Sequence, residues 1–145
     1  MITLFLSLLA LPLSLSATPI HSLDGETSEL VAHLQSPFTF VLTVHSQDDL
    51  PEAQRLLTYA VSKDYPSIVL IAIPSRKLEA IAIRRAAKSY FQSEFSRSLT
   101  YFIKAEDHPY PEFKTLLLNP TEPEPLYRFK DYTPSPIESL PQPMQ

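Results

Sequence analysis

The chain has 145 residues, 44% hydrophobic and 19% charged, with a formal net charge of −4. That is enough apolar material for the core of one domain, and it leaves no overall basic field to draw in nucleic acid. There is no cysteine and a single glycine, Gly25, against 15 prolines; the first excludes thiol and disulfide chemistry, and the second excludes a P-loop, a dinucleotide fingerprint and a G-x-S-x-G elbow.

Residues 1–17 carry no charged side chain, and their apolar run is shorter than the roughly 20 residues a spanning helix needs. Ser14 and Ser16 set small residues at −3 and −1 of a cut before Ala17. The segment reads as a signal peptide, with a retained N-terminal anchor as the alternative. Export to the periplasm or the extracellular space follows. The only asparagine, Asn119, precedes Pro120, which blocks N-glycosylation, and no disulfide staples the domain. Together these point to a bacterial envelope protein, or to a chain from an organelle or symbiont of that descent.

Residues 18–35 are polar and read as a linker or short N-terminal element, with a helix over Glu26–Leu34. Phe38–Val44 is β-branched, aromatic and nearly all apolar, which predicts a strand buried on both faces. Asp49 and Glu52 form a capping-box pattern before a helix whose apolar stripe is Leu50, Ala53, Leu56, Leu57, Ala60 and Val61. Ser67–Ile73 is a second buried strand, and Pro74–Ser75 open a second helix that runs to Phe91 or Phe95. Strand, helix, strand, helix is the βαβ rhythm. Leu99–Ile103 is a candidate short strand. Phe113–Leu118 and Leu126–Lys130, separated by a proline-rich turn, predict an edge hairpin. An α/β domain over 36–132, with a mixed sheet of four to five strands flanked by helices, is followed by a proline-rich tail over 133–145.

This order resembles the thioredoxin-like superfamily, including its peroxiredoxin-like branch. The likeness is carried by Phe38–Val44 with its capped helix, by Ile68–Ile73, and by Thr115-Leu-Leu-Leu-Asn-Pro120 followed by Leu126-Tyr-Arg-Phe129. The resemblance implies a reactive cysteine in the loop after the first strand, where this chain has His45-Ser-Gln-Asp-Asp-Leu-Pro51. It also implies a cis-proline before the third core strand, near Lys114, with Pro111 three residues earlier. Both departures imply a redox-dead version of the fold.

Two surfaces hold candidate residues. His45, Asp48 and Asp49 cluster with Ser46 at the carboxyl end of the first strand, where open α/β sheets place ligands. Histidine and carboxylates suit a divalent metal, and a solvated loop with Asp49 as helix cap is the other reading. His45 and Ser46 do not make a nucleophile and base, since neighbours on an extended chain point apart. The stretch Arg76–Arg97, which holds the second helix, sets Arg76, Lys77, Arg84, Arg85, Lys88 and Arg97 against only Glu79 and Glu94, while residues 105–145 have the opposite balance. At 100° per residue Lys77, Arg84 and Lys88 share one stripe, with Arg85 beside it. Tyr90 and Phe91, with Ile83, give this helix more apolar surface than one packing face needs. Partner contact or self-association is therefore expected through Lys77, Arg84, Arg85, Lys88, Tyr90 and Phe91. The resulting expectation is a non-enzymatic exported binding or assembly module of the envelope. The alternative is a thiol-independent enzyme or metal-binding protein using His45, Asp48 and Asp49. Neither cofactor nor nucleic acid is implied, and membrane contact follows only if the N-terminal segment is retained.

Overall fold

The computed structural model describes residues 18–122 and 124–134. The signal peptide over 1–17 and the tail from 135 onward lie outside the described residues. In chain order the elements are β1 (Pro19–Ser22), β2 (Thr27–Glu29), a 3₁₀ turn at Leu30–His33, β3 (Thr39–Val44), α1 (Leu50–Ser62), β4 (Ser67–Ile73), α2 (Lys77–Tyr90), α3 (Glu94–Ser98), β5 (Thr100–Lys104), β6 (Thr115–Leu118) and β7 (Tyr127–Phe129). Among the described residues no helix is long and apolar enough to cross a membrane.

One mixed sheet carries all seven strands in the order β2-β1-β5-β4-β3-β6-β7. Every residue of β3 and β4 is buried, as their continuous apolar runs predict, and the two pair in parallel from Phe40↔Ser67 to Val44↔Ile71. β4 and β5 are also parallel, whereas β6 runs antiparallel to β3 and β7 antiparallel to β6. The expected edge hairpin is therefore present.

The sheet is wider than the four to five strands expected, and the difference lies in the N-terminal segment. Leu23, Asp24 and Gly25 close a hairpin in which the Ser22 N–H donates to Glu26 C=O at 2.8 Å and the Gly25 N–H to Ser22 C=O at 3.0 Å. Gly25 has φ +97°, a conformation that a side chain would strain. This turn makes β1 and β2 where a linker and a helix over Glu26–Leu34 were expected. Fully buried Ile20 and Leu30 then anchor the segment to the domain.

Alternation along the strands divides the core. Phe40, Leu42, Val44, Val69 and Ile71 face α1 and α2, meeting Ala53, Leu57, Ile83, Ala87 and Phe91. Val41, Ile68, Leu70, Leu116 and Leu118 face the other way, onto Ile20, Leu30 and Leu34. The N-terminal segment thus covers the second face of the sheet, which explains how central strands flanked by helices on one side are buried on both. Asp64, in the left-handed region at φ 63°, ends α1 and turns the chain into β4.

Candidate functional site

The carboxyl end of β3 is where the sequence pattern places chemistry, and it is filled by a closed polar network. Thr43 is wholly buried. Its hydroxyl donates to the Phe113 carbonyl, its N–H donates to Lys114 C=O at 2.9 Å, and its carbonyl accepts the Tyr132 hydroxyl at 2.6 Å. His45 Nε2 lies 3.1 Å from the same Phe113 carbonyl, so this nitrogen carries the proton. The His45 N–H donates to Asp49 Oδ2 at 3.1 Å, while Lys114 Nζ donates to Asp49 Oδ1, also at 3.1 Å.

Lys114 therefore occupies the position before β6 where the family resemblance implies a cis-proline. Its ammonium pairs with the Asp49 carboxylate, which is only 12% exposed, and sits 5.5 Å from the Tyr132 ring. Burial, and then the Asp49 charge, push the Tyr132 hydroxyl above its ordinary pKa. The cis peptide bond among the described residues is Ser36–Pro37, ahead of β3.

His108, in the loop between β5 and β6, packs its ring beside this network. It is 6% exposed, and its ring centre is 5.3 Å from that of His45. Nδ1 accepts the Tyr110 N–H at 2.9 Å, so Nε2 carries the proton, and this buried N–H has no partner. Burial, and secondarily the His45 imidazole, pull the His108 pKa from the ordinary 6.5 down to about 4. His108 is accordingly neutral over the physiological range.

The structure separates the three residues expected to share a site. His45 and Asp49 meet, but through the His45 backbone, while the Asp48 side chain is exposed and makes no hydrogen bond or ion pair. Asp49 is not the helix cap that its spacing suggests: its carboxylate turns back to His45 and across to Lys114, and Glu52 pairs with Arg55 instead. Among the described residues no three His, Asp or Glu side chains gather as a metal-binding set. Sequence reasoning passed over Thr43, His108, Lys114 and Tyr132. A lone hydroxyl inside an apolar strand and a lone cation just before one were the available signals.

The α2 surface is different. Lys77, Arg84, Arg85 and Lys88 are all exposed, and none of them forms an ion pair. Arg84 lies 5.6 Å from the Phe102 ring. Leu78 and Ile81 on the same helix are 81% and 45% exposed. One expected contact residue is corrected: Phe91 is fully buried, because the helix ends at Tyr90 and the next side chain turns into the core beside Ile83 and Ala87. Tyr90 remains partly exposed at 37%.

No family model matches the chain, and no curated protein matches it. Among solved structures it is similar to a protein of Aquifex aeolicus VF5 described as a candidate electron transfer protein, at 13% identity over 85% of this chain and 88% of that one, with a TM-score of 0.55. A second similar structure is the pneumococcal exposed lipoprotein thioredoxin of Streptococcus pneumoniae strain TIGR4, at 12% identity over 79% and 89%, with a TM-score of 0.48. The strand order agrees with the thioredoxin-like fold that the sequence pattern implies, and the Aquifex structure shares the architecture of most of the chain.

Proposed function

We propose that this chain is an exported binding or assembly module of the cell envelope, and that its contact surface is the outward face of α2. The frame is read as thioredoxin-like without a thiol, within the peroxiredoxin-like branch by the Thr115–Pro120 and Leu126–Phe129 pattern. One observation carries the reading: four cations without ion-pair partners lie beside Leu78 and Ile81 on an exposed helix face. At 100° per residue, Lys77, Lys88, Ile81, Arg85 and Leu78 fall in that order within a quarter to a third of the helix circumference. A partner that buries Leu78 and Ile81 gains about 1.5–3 kcal/mol from Leu78 and roughly half of that from the already half-buried Ile81. The neighbouring cations select an acidic partner and speed its approach. The β3 crevice supports the same reading by contrast, since Asp49, Lys114, Thr43 and His45 all bond to one another or to backbone.

The test is a photo-crosslinking residue at Ile81, with one at exposed Ala32 as control, in the native host. The expected result is a defined adduct from Ile81 alone, lost when Arg84, Arg85 and Lys88 are all replaced by Glu. The triple variant should melt within about 1 kcal/mol of the parent, because all three side chains are exposed and only Arg84 has a ring contact, with Phe102. An adduct that survives the charge reversal removes this surface from consideration. Intact mass of the envelope-fraction chain reads export directly: loss of the residues before Ala17 or Thr18 is expected, and a full-length chain would refute cleavage.

A further inference from the structure

Far along the sheet from β3, three polar side chains from three segments meet. Ser28 of β2 places Oγ 2.8 Å from Nε2 of His33, in the 3₁₀ turn that follows. His33 Nδ1 lies 3.1 Å from the hydroxyl of Tyr101 on β5, and the two rings are 4.5 Å apart. The Tyr101 hydroxyl is also 3.2 Å from the Ser98 carbonyl.

These contacts admit one order of protons. A carbonyl only accepts, so the Tyr101 O–H donates to Ser98 C=O. The Tyr101 oxygen then accepts from His33 Nδ1–H, which leaves a lone pair on Nε2 to accept the Ser28 hydroxyl. Burial lowers the His33 pKa from 6.5, so the neutral imidazole is the resident form at neutral pH. All three side chains line one cavity of about 540 Å³, whose wall also carries Arg97.

We propose that Ser28, His33 and Tyr101 form a nucleophile, a base and its orienting group for acyl transfer from small esters. This goes beyond the binding reading and does not depend on the α2 surface. Ser28 Oγ attacks the ester carbonyl carbon as its proton passes to His33 Nε2. The adduct then collapses: the bond to the leaving oxygen breaks, and the alcohol departs with the proton from Nε2. The acyl group is left on Ser28. Water, giving a proton to the same nitrogen, attacks the acyl carbon, releases the carboxylic acid and restores the serine. Tyr101 touches no reacting atom and is a positioning residue, holding the proton on Nδ1. Arg97, bonded to Asp24, is the arginine in the lining of this cavity and would face the developing oxyanion. Asp24, Glu26 and Glu94 outnumber it there, which favours neutral or cationic acyl donors over anionic ones.

The experiment uses the full chain with a biotinylated fluorophosphonate and, separately, p-nitrophenyl acetate. Expected are phosphonylation at Ser28 and a burst of p-nitrophenolate stoichiometric with protein. Ser28→Ala should lose both while melting like the parent. His33→Gln should slow labelling on the order of 100-fold, the low end for loss of a general base. Tyr101→Phe should slow it less and move the midpoint of the rate–pH profile, which a merely structural tyrosine would leave in place. A folded parent chain whose Ser28 stays unlabelled overturns the proposal. So does a His33→Gln chain that labels at the parent rate.

Discussion

The carboxyl end of β3 and the outward face of α2 present similar residue types in opposite states. At β3, one cation, one carboxylate, a threonine and a histidine satisfy one another and the Phe113 and Thr43 carbonyls. On α2, four cations have no carboxylate, and two large aliphatic side chains face water. The carboxyl end of β3 is internal structure, because its polar side chains, apart from the buried His108 Nε2–H, have partners within the chain. The exposed helix has kept its groups free. The comparison predicts that substitutions at β3 change stability, whereas substitutions on α2 change association.

The largest effect tests the one unsatisfied group at the β3 end. His108 titrates near 4 in the folded chain against 6.5 in an ordinary environment, so the unfolded chain binds the extra proton between these values. Stability is complete above about pH 6.5 and falls as pH drops towards 4. The total loss is about 3 kcal/mol, the equivalent of the shift at 1.36 kcal/mol per unit. Protonating Nδ1 also sets two donors against each other, since that atom accepts the Tyr110 N–H. Chemical denaturation from pH 7.5 to 4.5 measures the slope. His108→Gln, which keeps an acceptor for Tyr110 and does not titrate, should flatten it. An equal slope in that variant would move the acid sensitivity elsewhere, and the β3 network would lose its claim to be the pH-sensitive half of the pair.

A smaller effect follows from opening the ion pair. Asp49→Ala leaves the Lys114 ammonium and the His45 N–H without their acceptor at a site where the carboxylate is nearly buried. The expected cost is about 2 kcal/mol, or roughly 8 °C in Tm. Adding Lys114→Met should recover part of it, since the stranded cation is then removed. If Asp49→Ala melts like the parent, the crevice is not held shut by this pair and is open to ligands after all.

What was legible beforehand follows from what each pattern reports. Continuous apolar runs at Phe38–Val44 and Ser67–Ile73 mark strands buried on both faces, and the stripe from Leu50 to Val61 marks a helix; all three are present. Burial is a property of the local run, so it can be read locally. The N-terminal hairpin was missed because its strands are short and polar, and only Gly25 signals the turn. Phe91 was assigned to the surface because the periodicity of a helix does not say where the helix stops. The β3 network joins positions as far apart as Thr43 and Tyr132, separated by 89 residues. No spacing rule reaches that distance, so Lys114 could be seen as a departure from the family pattern but not as the partner of Asp49.

Tyr132→Phe is the mildest and most discriminating probe of the contrast. The side chain follows β7, and its hydroxyl donates to the carbonyl of Thr43 in the central strand, while its ring carries Lys114 on one side. Removing the oxygen keeps the ring and the cation contact but leaves one central-strand carbonyl without that donor. The expected loss is about 1 kcal/mol, the usual net value of a hydrogen bond, with no new cavity because the change deletes a single atom. Hydrogen exchange then says where the loss acts. Faster exchange confined to the Lys114–Tyr132 segment, with β4 unchanged, identifies the tyrosine as the latch of the closing hairpin. Faster exchange spread evenly over the sheet would mean that the β3 end is not a separately held unit, and the distinction between a closed crevice and an open helix face would rest on α2 alone.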